Sequence, residues 1–266
     1  MQALCALTAG SDFASLAALA AIYAVAAVLS GLSGFGFSAI GCLSFAVLSP
    51  ELAVAMLMGL SLLTQACGAA VLWGDLRQHM TPWHRRDGVV PYLAGGVAGM
   101  PLGLTLLSGL GILELKVGLG MMLIGYSMWS LLRRSPTGPR PASSAARAFF
   151  VGAAGGVVGG FSAFPGSALV VWNTLTGVGK EQGRALTQAF ILSMQVVGLA
   201  LLLARHPALF GRGFWGIFLV AAPVALLGNR LGIAIYRRTG DIGYRRITLA
   251  ALGAAGFALL VQLALR

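Results

Sequence analysis

Eight stretches of nearly unbroken apolar sequence limit this chain more than any other feature: 12–49, 51–73, 88–108, 115–132, 147–176, 185–205, 213–236 and 247–265. About 20 apolar residues in a helix cross about 30 Å of hydrocarbon. Inside a bilayer, every backbone polar group must find its partner within its own segment, and a helix does this. The chain is 58% hydrophobic and 9% charged, whereas soluble domains carry about 25% charged residues. It therefore has too little polar surface to meet water on all sides, and the expected fold class is an all-α integral membrane protein.

Six stretches fit single spans. The other two, 12–49 and 147–176, are too long for one. Each carries a glycine–serine interruption: Ser30-Gly31-Leu32-Ser33-Gly34-Phe35-Gly36-Phe37-Ser38 in the first, Gly159-Gly160-Phe161-Ser162-Ala163-Phe164-Pro165-Gly166-Ser167 in the second. Glycine weakens a helix by about 1 kcal/mol relative to alanine, and Pro165 lacks a backbone donor. Each long stretch thus reads as a broken helix. The expectation is ten transmembrane elements, five in a first repeat (12–132) and five in a second (148–265), joined by a polar linker (133–147).

The halves also resemble each other. Glu51, Ala55, Gln65 and Gly68 recur as Glu181, Ala185, Gln195 and Gly198 at a constant offset, and Gly99-Met-Pro-Leu-Gly103 answers Gly228-Asn-Arg-Leu-Gly232. A repeat with an odd number of elements returns inverted. With the linker placed on the cytoplasmic side, 13 of the 18 Lys and Arg fall in inside loops, as the positive-inside rule requires. Outside positions then hold Lys116, Arg205, Arg212 and Arg266. Both termini are expected outside, in a cell inner membrane. The N-terminus has no basic region ahead of its apolar stretch, so a cleaved signal peptide is not expected.

The +11 net charge follows from this loop distribution rather than from a solvated basic face, so no nucleic-acid partner is expected. In inverted-repeat transporters, broken helices near the midplane turn half-helix N-termini toward an anionic group. The candidate substrate-binding residues are accordingly Ser33, Gly34, Phe35, Gly36 and Ser38 at the first break, and Ser162, Phe164, Pro165, Gly166 and Ser167 at the second. The serine hydroxyls are read as donors to the anion. Gln65 and Gln195 stand in mid-span at matched positions and face either a shared cavity or neighbouring helices. Asn173 is similar but unmatched. Arg230, inside a span, either snorkels to headgroups or attracts the anion, with Arg184 and Lys180 as weaker contributors at the inner mouth.

The few acidic residues lie in loops or at span ends, which argues against a cation path and leaves no visible proton relay. Cys5, Cys42 and Cys67 form no metal or redox spacing. Gly31-Leu32-Ser33-Gly34 matches the string of rhomboid-type serine proteases. A nucleophilic serine needs a base, however, and His79, His84 and His206 are all expected in loops or at span edges, so no enzyme is expected. No metal and no cofactor is implied. The expected partners are a small anion and the lipid bilayer, and self-association is left open.

The breaks, the Ser49-Pro-Glu-Leu-Ala-Val-Ala55 turn, the Gly177-Val-Gly-Lys-Glu-Gln-Gly-Arg-Ala-Leu-Thr-Gln188 segment and the Gly-x3-Gly pairs at 99–103 and 228–232, taken in order, resemble the sulfite exporter TauE/SafE family of bacterial membrane proteins. The first break is less glycine-rich than in many relatives, and Phe164-Pro165 stands where relatives often have glycine. The resemblance implies a membrane transporter that exports sulfite, an organosulfonate or a related sulfur-containing anion. The alternatives are transport of another small anion, or a membrane scaffold without transport.

Overall fold

A computed structural model describes residues 11–74, 78, 88–132 and 144–238, with positions 249–250, 253–254, 256–258 and 260–261. Cys5, His79, His84 and the basic residues Arg77, Arg85, Arg86, Arg133, Arg134, Arg140, Arg245, Arg246 and Arg266 lie outside the described residues. So does most of the expected linker.

The described residues are helical, with no strand among them. α1 spans Ser11–Ser33 and α2 Phe37–Gly41, continued by a 3-10 turn over Cys42–Ala46. There follow α3 (Pro50–Val71), α4 (Val89–Gly109), α5 (Ile112–Leu132), α6 (Ala145–Ser162), α7 (Gly166–Leu175), α8 (Lys180–Arg205) and α9 (Arg212–Arg238). Seven of these are long and apolar enough to cross a membrane, so the chain is a multi-pass membrane protein. The two long stretches are indeed each divided: α1 stops and a ten-residue helix follows over 37–46, and α6 stops and α7 follows over 166–175. The described positions among 249–261 are helical as well, where a last span is expected.

Helix starts follow local chemistry. Pro50 and Glu51 open α3, a proline whose missing N–H costs nothing there and a carboxylate at the positive end of the helix. Glu181 does the same in the first turn of α8. α8 consequently begins at Lys180 rather than at the expected 185, and Arg184 belongs to a helix instead of a loop at the inner mouth. Lys116, expected at an outside position, lies within α5 and is buried.

Helix packing is crosswise. The chief partner of α1 is α9, and the chief partner of α6 is α4. α3 packs on α8 at the centre, α9 also lies on α3, and α4 lies on α8. The partners therefore come in matched pairs if α1, α2, α3 and α4 are set beside α6, α7, α8 and α9. Glycine permits the two long seams. A methyl group added at Gly99 would overlap the Ala153 carbonyl oxygen, and one at Gly156 the Gly96 carbonyl oxygen, both between α4 and α6. Between α1 and α9, methyl groups at Gly31 and Gly232 would overlap the carbonyl oxygens of Asn229 and Val28. Lipid tails are as apolar as leucine, so close backbone approach of this kind is what draws membrane helices together.

Candidate functional site

The two breaks are built alike. α1 ends where Gly34 takes the left-handed conformation (φ 80°), its N–H donating to the Ser30 carbonyl at 2.7 Å. α6 ends at Ala163, also left-handed (φ 56°), its N–H donating to the Gly159 carbonyl at 2.8 Å. Just before each turn a serine bonds back one helical turn: Ser33 Oγ donates to the Leu29 carbonyl at 2.7 Å, and Ser162 Oγ to the Val158 carbonyl at 2.6 Å. Ser33 Oγ also accepts from the backbone N–H groups of Phe35 (3.3 Å) and Gly36 (3.0 Å), which fixes the connection into α2. On the other side Pro165 precedes α7 and packs on Gly159, while Gly166 sits against Ile191 and Thr187 of α8.

The breaks meet. Ser38, in the first turns of α2, donates its hydroxyl to the Ala163 carbonyl 125 residues away. Phe35 and Phe164 stack, with ring centroids 6.3 Å apart and planes 17° from parallel. The matched glutamines seal each turn: Gln65 Nε2 donates to the Gly34 carbonyl at 2.8 Å and to Ser30 Oγ at 3.2 Å, and Gln195 Nε2 donates to the Ala163 carbonyl at 3.2 Å. The residues expected at the breaks, with Gln65 and Gln195, are thus brought to one central place.

Arg230 is not. It is exposed, on the outer side of α9, while its neighbour Asn229 faces inward and donates from Nδ2 to the Thr64 carbonyl at 2.9 Å. At 100° per residue, adjacent helical positions cannot share a face. The serine hydroxyls also differ from expectation. Those of Ser33, Ser38, Ser162 and Ser167 each donate to a backbone carbonyl, Ser167 to Phe164 at 3.1 Å. Their role is to hold the breaks in shape, and their protons are already committed.

The positive charge at the centre belongs to Arg184. Although an arginine, it is buried, reaching from α8 to the end of α1, where Nη1 donates to the Leu32 carbonyl at 3.2 Å and Nη2 to the Gly31 carbonyl at 3.0 Å. Its guanidinium carbon lies 4.1 Å from the centre of the Tyr236 ring. α1 has no basic residue in its own last turn, and a cation complements the partial negative charge of a helix C-terminus. Next to it, Gln188 Nε2 donates to the Gln65 carbonyl at 3.2 Å. Asn173, on α7, donates to the Gly183 carbonyl (3.3 Å) and to Thr187 Oγ1 (3.2 Å), so it ties α7 to α8.

Arg184, Gln188 and Asn229 have apolar counterparts in the matching elements: Val54, Met58 and Met100. Around Gly68, Asn229 Nδ2 and Gln188 Nε2 lie 3.4 and 3.7 Å from where a Cβ would stand; around Gly198, Met58 Sδ and Met100 Sδ lie 2.8 and 3.6 Å from the same point. The two breaks are therefore alike in backbone and unlike in chemistry, with the polar groups gathered toward the α1 break. Among the described residues, no carboxylate is buried and no group of metal-ligating side chains assembles.

No curated protein and no solved structure matches the chain. The sulfite exporter TauE/SafE family model matches residues 19–259, nearly all of it, and with the membrane-length helices this makes the protein a member of that family of membrane transporters.

Proposed function

We propose that the protein exports sulfite or a small organosulfonate across a cell inner membrane, and that the anion is held between the two breaks. The observation that carries this reading is the meeting of two like-built helix breaks at one buried centre, joined by Ser38 to Ala163 and by the Phe35–Phe164 stack, beside the buried Arg184. Helix breaks are affordable inside a membrane where they line a cavity or bind a ligand. The proposed lining comprises residues 33–38 and 162–167, with Gln65, Gln195 and Arg184; the serines shape it and Arg184 supplies the charge.

The matched packing partners support an arrangement of two inverted repeats, 12–132 and 148–265, about a cytoplasmic linker at 133–147, with both termini outside. An inside-negative potential favours outward anion movement by about 2.3 kcal/mol per charge per 100 mV, so export needs no other driving force in this scheme. The test is counterflow of labelled sulfite in liposomes holding the purified protein, with sulfate, taurine and chloride as competitors. Saturable sulfite exchange supports the reading. Exchange of a different anion keeps the site and replaces the substrate, and no exchange by folded protein moves it to a scaffold role. Electroneutral flux would remove the potential-driven mechanism.

A further inference from the structure

One face of α8 presents Arg184, Gln188 and Gln195, all buried. The two amides can be oriented without ambiguity. Each lies against a backbone carbonyl, which only accepts, so the NH2 end must point at it: Gln188 toward the Gln65 carbonyl and Gln195 toward the Ala163 carbonyl. Their side-chain oxygens then face elsewhere, and neither Gln188 Oε1 nor Gln195 Oε1 has a donor among the described residues. Buried acceptors are rarely left so. Ser33, Ser38, Ser162 and Ser167 cannot supply the missing protons, because theirs go to backbone carbonyls.

Arg184 and Gln188, one turn apart, thus offer a full positive charge beside an unused acceptor, while Gln195 lies about 16 Å along α8 from Arg184. A bound cation would satisfy amide oxygens, but the Arg184 guanidinium stands one helical turn from Gln188 and repels it. The complementary ligand carries one negative charge and a hydrogen-bond donor of its own. We propose that the site selects monoanions bearing an O–H group: hydrogensulfite over the sulfite or sulfate dianion, and a hydroxysulfonate over an alkylsulfonate of equal size. This rests on the transport reading above and adds a rule for which anions are accepted.

The test uses the full-length protein in liposomes and two sulfonates of matched size, 2-hydroxyethanesulfonate and propane-1-sulfonate. The hydroxyl compound is expected to exchange or compete about threefold to tenfold better, the value of one neutral hydrogen bond. Gln188→Leu is expected to bring that ratio toward one. Equal exchange of the two sulfonates by the unaltered protein overturns the selection rule and leaves transport standing, whether or not the variant folds. A sodium requirement without discrimination assigns the amide oxygens to a cation and also overturns it. No exchange of any anion by folded protein overturns the transport reading itself.

Discussion

Arg184 on α8 donates from Nη2 to the carbonyl oxygen of Gly31 on α1, 3.0 Å away across 153 positions of sequence. One side chain therefore both neutralises the end of a broken helix and places the charge of the proposed site. Hydrogen bonds to a charged group contribute about 1.5–3 kcal/mol. Arg184→Gln is expected to lower anion exchange by about tenfold to a hundredfold. Arg184→Lys keeps the charge without the planar fork and should recover only part of the rate. Counterflow in liposomes, with size-exclusion profiles to confirm folding, measures both.

Asn229 and Arg230 make a sharper test, since they are adjacent but one is buried and the other exposed. Arg230→Gln should leave exchange within about twofold, as expected for a surface substitution away from any special contact. Asn229→Leu removes the side-chain donor that the Thr64 carbonyl accepts besides its bond within α3 and should destabilise by about 0.5–1.5 kcal/mol. Comparison of rate and melting temperature for the two variants checks this.

The left-handed turns predict opposite responses at equivalent positions. Gly34→Ala puts a Cβ into a disfavoured conformation and within 3.2 Å of the Arg184 side chain, so it should destabilise by about 1–2 kcal/mol or more. Ala163→Gly relieves the same strain in the other half and should be neutral or raise the melting temperature in detergent.

Glycines should also sort by seam. Gly99→Ala and Gly156→Ala each drive a methyl into a carbonyl oxygen of the facing helix and should cost about 1–3 kcal/mol as overpacking. Gly118→Ala and Gly125→Ala, with open space where a Cβ would stand, should cost nothing measurable. Thermal melts of the four variants in one detergent decide the matter.

Much of this architecture is legible in the residues. Helix length follows from the apolar stretches because the bilayer sets one ruler for all of them. Both breaks could be located because glycine, proline and serine cluster nowhere else within such long stretches. Gln65 and Gln195 stand out because they occupy matched positions in the two halves. That same matching hid the one-sided chemistry, because Arg184, Gln188 and Asn229 answer to Val54, Met58 and Met100 and so leave no repeated signal. Arg230 drew attention as a charge in a span, but direction around a helix is decided by neighbours. Here the glycine at 232 and the asparagine at 229 face α1 and α3, which turns position 230 outward. The serines stand at the breaks, but a hydroxyl one turn past a carbonyl in a breaking helix bonds backward, and only the local geometry tells that from a free donor.

The crosswise seams have a consequence for how the chain is made. α1 leaves the ribosome roughly two hundred residues before α9, the helix against which it is fitted, and α4 must wait for α6. Until those later segments insert, the glycine-lined faces of the early helices have only lipid beside them. Neither half can close on its own, so assembly in the membrane is completed late and from both halves at once. A chain cut in the linker would be expected to regain its shape only when both fragments are made together.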